Sequence, residues 1–329
     1  MQVNNMKQQR ITEEQRMRTL RWDFATPRPE FVSQLKDQMG TACLNRQLLT
    51  NMFHQDFKFH IKAIDALVED LYANIEACTA NLDLVLRWLT IRFFDTNPSV
   101  ILKAMDYLSN VFTLLSENEY GLLDYEAYSF LPFLVMKFGD PKDAIRGPTK
   151  NIIKLICDIY PASKVSPYIL DGLKSKNARQ RAECLETIGS LIEGYGMSVC
   201  QPSPAAALKE VAKQISDRDN SVRNAALNCL LQVYFRQGEK VYKLIGQISD
   251  KDHSLLEERI KRSAKNKPSL RNQLQSRPPR QLSEGQCGGA VARIGKTQSY
   301  DCMQLPTCTS LRDRNVLGGE RMKQRFEEV

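Results

Sequence analysis

The chain has 329 residues, with 46 Lys and Arg against 38 Asp and Glu, for a formal net charge of +8. The excess lies at the ends: residues 265–329 carry +6 and residues 1–21 carry +3, leaving 22–264 at −1, which lacks the basic field needed to grip a phosphate backbone and argues against nucleic acid. There is no signal-peptide pattern, no apolar run near the length of a membrane span and no C-x-x-C pair among nine cysteines, so export, membrane insertion and a zinc ribbon are all disfavoured and the thiols fit a reducing cytosol or nucleus.

In chain order, residues 1–21 come first: polar, charged, and without an apolar face to bury. They read as an extension that forms at most an isolated helix. Residues 22–264 are helical throughout. Ile101, Ala104, Leu108, Val111, Phe112 and Leu115 form one apolar stripe. Leu208, Val211, Ala212 and Ile215 form another, and Val222, Ala225, Ala226, Cys229, Leu230 and Val233 a third. Each recurs at the 3.6-residue period of an amphipathic helix. Asn97-Pro98 and Ser203-Pro204 each place a capping side chain before a proline suited to the first helical turn. Trp88, in LVLRWLTIRF, and Trp22 are expected in the core, with Cys157 and Cys229 as small buried hydrophobes.

The helices repeat. The string Lys62-Ala63-Ile64-Asp65-Ala66-Leu67 returns 41 residues later as Lys103-Ala104-Met105-Asp106-Tyr107-Leu108. An Arg-x-x-x-Leu frame at Arg181 returns 42 residues later at Arg223, and Asp140 to Arg146 opens in the same way. Helix pairs of about 40 residues mark a HEAT-type αα-solenoid. Six pairs fit, at about 28–78, 80–118, 124–160, 163–198, 203–236 and 238–264. Residues 265–329, rich in Pro, Gly, Ser, Gln and Arg, read as a disordered basic tail in which Ser269, Ser283 and Ser299 are candidate phosphorylation sites.

A one-way stack places the turn inside each pair on one edge. Those turns start near Gln55, Phe94, Gly139, Ser175, Asp217 and Ser249, and three are followed by Arg146, Arg181 or Arg223 in the next helix. The edge reads as a ridge that grips an acidic partner. Arg223, after Asp217 and Asp219, reads equally well as an internal ion pair. Phe57 is the aromatic expected to be exposed, although Phe57 and Phe59 could instead pack on Met52 and Phe53. No catalytic constellation is present: three histidines occur without H-E-x-x-H, and Gly295-Lys296-Thr297 lacks the P-loop glycine at Ala290. No enzyme, metal or cofactor is expected.

Several strings carry a resemblance: Leu20 to Phe24, KSKNARQRAECLE (174–186), YGMSVCQPSP (195–204), SDRDNSVRNAALN (216–228) and LEERIKRSAK (256–265). Over about 20–265 they resemble a TOG domain, and more narrowly the fourth TOG domain of the chTOG/mini-spindles family of microtubule polymerases. The resemblance implies a six-pair paddle that binds the αβ-tubulin heterodimer by its turns. It also implies a role in plus-end growth and in spindle and centrosome organisation, at microtubule ends and spindle poles. By residue, it implies β-tubulin contacts at Phe57 and Lys58 (where a Trp-Lys is usual), His60, Asn97, Val100, Lys142 and Arg146. Contacts to α-tubulin are implied at Lys176, Arg181, Asn220 and Arg223. The expected domain limits are 1–21, 22–264 and 265–329, and the expected state is a monomer. The other readings are a HEAT scaffold that binds a non-tubulin protein through its concave helix face, and a HEAT-like nucleic-acid enzyme, which the near-neutral middle disfavours.

Overall fold

The computed structural model describes residues 1–42 and 45–266, which fall within one compact unit. The described elements are helices. α1 (Lys7–Gln15) precedes α2 (Pro29–Ala42), α3 (Arg46–Met52), α4 (Phe57–Ala73) and α5 (Ile75–Ala80). Five antiparallel pairs follow: α6 (Leu82–Arg92) with α7 (Pro98–Glu117), α8 (Asp124–Met136) with α9 (Asp143–Ile159), α10 (Ala162–Asp171) with α11 (Ala178–Tyr195), α12 (Pro204–Lys213) with α13 (Asn220–Gln237), and α14 (Lys240–Ile245) with α15 (Asp250–Asn266). The architecture is a HEAT-like helical paddle in which α4, α7, α9, α11, α13 and α15 are the second helices of successive pairs.

The apolar stripes become the core. Val111, Phe112, Leu208, Val211, Ala226 and Leu230 are all fully buried, as are Cys157 and Cys229 to within a few percent. Both tryptophans are buried and their indole N–H groups are satisfied: Trp88 donates to the Met52 carbonyl (2.8 Å) and Trp22 to Thr90 Oγ1 (3.0 Å). The two Pro-marked starts form as expected. Asn97 Oδ1 accepts from the Ser99 amide at 2.9 Å, and Ser203 Oγ accepts from the Ala206 amide at 3.2 Å. The first repeat departs from a simple pair. Its leading side breaks into α2 and α3, because Asn45 restarts the helix by accepting from the Gln47 and Leu48 amides.

Residues 1–21 overturn the expectation that they have nothing to bury. α1 lies on α6 and α8 through charge. The Arg10 guanidinium donates twice to the Asp83 carboxylate at 2.8 Å, Lys7 Nζ pairs with Glu126 at 2.6 Å, and Glu14 pairs with Arg87 at 2.7 Å. Asp83, Arg87 and Glu126 are fully buried, and Arg10 is nearly so. Burial pushes the Glu126 carboxyl above the ordinary range, opposed by Lys7. The Arg87 guanidinium also lies between the Trp22 and Tyr125 rings, 5.3 and 4.6 Å from their centroids. The tail readings for 267–329, including the three serines and Gly295-Lys296-Thr297, lie outside the described residues, whereas Lys265 and Asn266 continue α15.

Candidate functional site

Consecutive turns are stitched together, and this places them along one edge. Arg92 Nη1 bridges the first two turns, donating to His60 Nδ1 of the first and, at 3.3 Å, to Asp95 of the second. Lys137, at the third, donates to the Phe93 carbonyl of the second. Asn177 Nδ2 of the fourth donates to the Gly139 carbonyl of the third at 2.9 Å. Arg181 of the fourth forks onto Asp217 of the fifth, and Ser216 Oγ of the fifth donates to Asp252 of the sixth at 2.6 Å. Gly139 permits the third of these contacts, since a Cβ there would fall 2.6 Å from Asn177 Nδ2.

Within the turns a second device repeats. The second helices of repeats one, three, four and five start from N-cap residues Asp56, Lys142, Asn177 and Asp219. Four residues after each stands His60, Arg146, Arg181 or Arg223. Each reaches back six residues to a carbonyl: His60 Nε2 to His54 (2.6 Å), Arg146 to Asp140 (2.7 Å), Arg181 to Ser175 (2.8 Å) and Arg223 to Asp217 (2.9 Å). Asp140, Ser175 and Asp217 are the C-caps of the one-turn 3-10 helices that close the first helix of their pairs. Their carbonyls have no helical partner, so a cationic donor there satisfies an orphan acceptor and opposes the negative end of the helix dipole. These side chains are braces that fix each turn. Arg146 also pairs with Asp143 and Glu183, and Arg223 takes Asn220 Oδ1 at 3.1 Å.

What remains outward on the turns is a set of other cations. Lys58, Lys142, Lys176 and Lys251 are exposed, as is Arg218, and none is in an ion pair among the described residues. The fifth turn also carries two carboxylates, Asp217, which Arg181 holds, and Asp219. Bonds from the Ser221 hydroxyl and amide hold the Asp219 carboxyl below the usual carboxylate range.

Residues 51–251 match the family model described as XMAP215/Dis1/CLASP, TOG domain. The chain belongs to that TOG-domain family. It is 53% identical over 265 residues to Protein mini spindles of Drosophila melanogaster, covering 80% of this chain and 13% of that protein. It is 38% identical over 260 residues to Zygote defective protein 9 of Caenorhabditis elegans, covering 79% of this chain and 18% of that one. The chain thus spans less than a fifth of the length of these relatives. Among solved structures, one from work on TOG–tubulin binding specificity in microtubule dynamics and mitotic spindle formation matches with a TM-score of 0.76 at 53% identity, over 79% of this chain and 98% of that chain. The TOG domain of C. elegans Zyg9 matches with the same TM-score at 37% identity, over 80% and 98%.

On this TOG frame the expected contact residues divide. Lys58, Lys142, Lys176 and Asn220 are exposed on the edge, and Asn97 is half-buried there as a cap. Three expectations are corrected. His60, 6% exposed, turns inward: Nε2 donates to the His54 carbonyl and Nδ1 accepts from Arg92, whose own pKa burial lowers. Val100 is wholly buried, because the third position of α7 faces the core. Phe57 is half-buried against the core rather than exposed, while Phe59 stacks on His54 with ring centroids 3.8 Å apart. Arg146 and Arg181, each with a side chain 15% exposed, and half-buried Arg223 are engaged within the fold. Arg218 and Lys251 were not singled out by sequence reasoning. Arg218 matches Lys176 in register, each immediately preceding its N-cap, and that alignment is the signal that marks it.

Proposed function

We propose that this TOG domain binds the αβ-tubulin heterodimer along its turn edge and supports microtubule plus-end growth and the organisation of spindle and centrosome. The observation that carries this reading is the division of labour on the edge. Four braces hold the turns while Lys58, Lys142, Lys176 and Arg218 are exposed and have no ion-pair partner among the described residues. Unpaired lysines on a braced scaffold suit an acidic protein surface, because little ordering remains to be done on contact. The solved relative's work on TOG–tubulin binding specificity supports tubulin as that surface. This reading moves the contact role from the arginines to the lysines. A place as the fourth domain of a tandem array rests on the quoted strings alone.

The test is co-elution of the full chain with αβ-tubulin on a sizing column. Lys142→Glu with Lys176→Glu abolishes the complex, raised salt weakens it, and melting stays unchanged. A complex that survives both reversals at low salt overturns the reading.

A further inference from the structure

Along the second helices, cations of one repeat meet carboxylates of the next. Lys150 of α9 pairs with Glu183 and, at 3.0 Å, with Glu186 of α11. Arg181 of α11 forks onto Asp217 before α13. The final step, from α13 to α15, is built differently. Arg259 of α15 donates to Asn224 Oδ1 (2.6 Å) and Asn228 Oδ1 (3.0 Å), both neutral amides of α13. Among the described residues, Arg223 is likewise held only by neutral oxygens: the carbonyls of Asp217 and Arg218, both at 2.9 Å, and Asn220 Oδ1. Arg262 pairs with Glu258 on its own helix. These three guanidiniums and one carboxylate line a groove of about 160 Å³, together with Leu227 and Leu255.

We propose that this groove is a binding site for the carboxylate side chains of an acidic, glutamate-rich peptide segment of a partner protein. Amide oxygens satisfy guanidinium donors geometrically but leave the charge unneutralised. Each guanidinium carries five N–H donors, and carboxylates are the partners for which its fork is best shaped. The apolar pair Leu227 and Leu255 suits the methylenes of a glutamate, which a phosphate lacks. The rest of the near-neutral body supplies no track for a nucleic-acid backbone. Arg259 stands about 13 Å along α15 from its start, at a rise of 1.5 Å per residue. The groove therefore starts at the fifth turn, at Asn220 and Arg223, and extends along α15 away from Lys142 and Lys176, and the proposal does not depend on what those lysines bind.

The test uses the full chain and a fluorescein-labelled octaglutamate peptide, followed by anisotropy at low salt with octaglutamine as control. Arg259→Gln weakens binding about tenfold, as expected for loss of a charge-assisted pair. Asn224→Asp with Asn228→Asp gives Arg259 internal carboxylates and abolishes the groove's share of binding while keeping the fold, so it decides the matter if Arg259→Gln unfolds. Lys142→Gln with Lys176→Gln changes binding less than about twofold, because those side chains lie outside the groove. A photo-crosslinking version of the peptide labels α13 or α15. The proposal is overturned if the Asn-to-Asp variant binds like the parent, or if crosslinks fall only within residues 267–329.

Discussion

Arg181 and Asp217 meet as a fork, with Nε to Oδ2 at 2.9 Å and Nη2 to Oδ1 at 3.0 Å, joining the fourth turn to the fifth across 36 residues of chain. Both side chains are largely removed from water, at 15% and 12% exposure. Asp217 also receives the Asp219 amide at 2.8 Å, so its carboxylate organises its own turn as well as the joint. Arg181→Gln and Asp217→Asn should each cost about 2 kcal/mol, the range for hydrogen bonds to charged groups. In a urea-unfolding double-mutant cycle the coupling should exceed about 1 kcal/mol. Additive losses would show that the two residues act separately.

The braces and the outward lysines should respond in opposite ways. Arg223→Lys keeps the charge but loses the fork to two carbonyls and an amide, and should lower stability by about 1 kcal/mol with tubulin affinity nearly unchanged. Lys176→Gln should leave the melting temperature unchanged and weaken the complex. Thermal melts and sizing-column titrations of the two variants check this crossing pattern. If Arg223→Lys loses the complex at unchanged stability, the arginine is itself a contact.

Much of the fold was legible because helix periodicity is local. The stripes at 101–115, 208–215 and 222–233 needed no knowledge of their neighbours to announce a buried face. The site was harder to read. Arg146, Arg181 and Arg223 look like surface cations in a turn-rich string, and their acceptors are backbone carbonyls that no residue type reveals. A clue lay in their constant place four residues after a cap, which His60 shares. The seat of α1 was hidden for a related reason, since Lys7, Arg10 and Glu14 resemble a solvated face. Their partners gave the only sign: Asp83 and Arg87 interrupt the apolar run LDLVLRWL, where an unmatched charge is too costly to keep.

That seat makes a strong prediction. Arg10→Ala leaves the Asp83 carboxylate buried with its fork removed, and breaking a buried pair from one side costs about 3–5 kcal/mol. Replacing both, as Arg10→Met with Asp83→Leu, should restore much of the loss. Urea unfolding of the two variants distinguishes this from a loosely attached extension, for which both would match the parent.

Asp219 caps α13 and its carboxyl titrates below the ordinary value, held there by Ser221. A depressed folded-state pKa means the cap's contribution is complete above the unfolded carboxyl value and is lost as pH falls through the folded one. Asp219→Asn keeps an acceptor that does not titrate, so its stability should fall less steeply than the parent's below about pH 4. Melting curves from pH 7 to pH 2 read the difference, and parallel curves would show that the cap is unimportant.

The described thiols should be chemically silent while the paddle is folded. Burial pushes Cys78 and Cys200 up to about 11 and Cys157 up to about 12, and it raises Cys184 and Cys229 further. The thiolate is the reactive form, so at pH 8 its fraction at Cys78 is on the order of one in a thousand before access is considered. Iodoacetamide at pH 8 should therefore leave all five unlabelled in the native chain and label all five in urea, with peptide mass spectrometry assigning each site. Cys200 is the sharpest probe. It lies in the connection between α11 and α12, outside either helix, where local opening is easiest, so it should label first as urea rises. Rapid native labelling of Cys184 or Cys229, which pack between α11 and its neighbours, would contradict the arrangement of repeats four and five on which the turn edge depends.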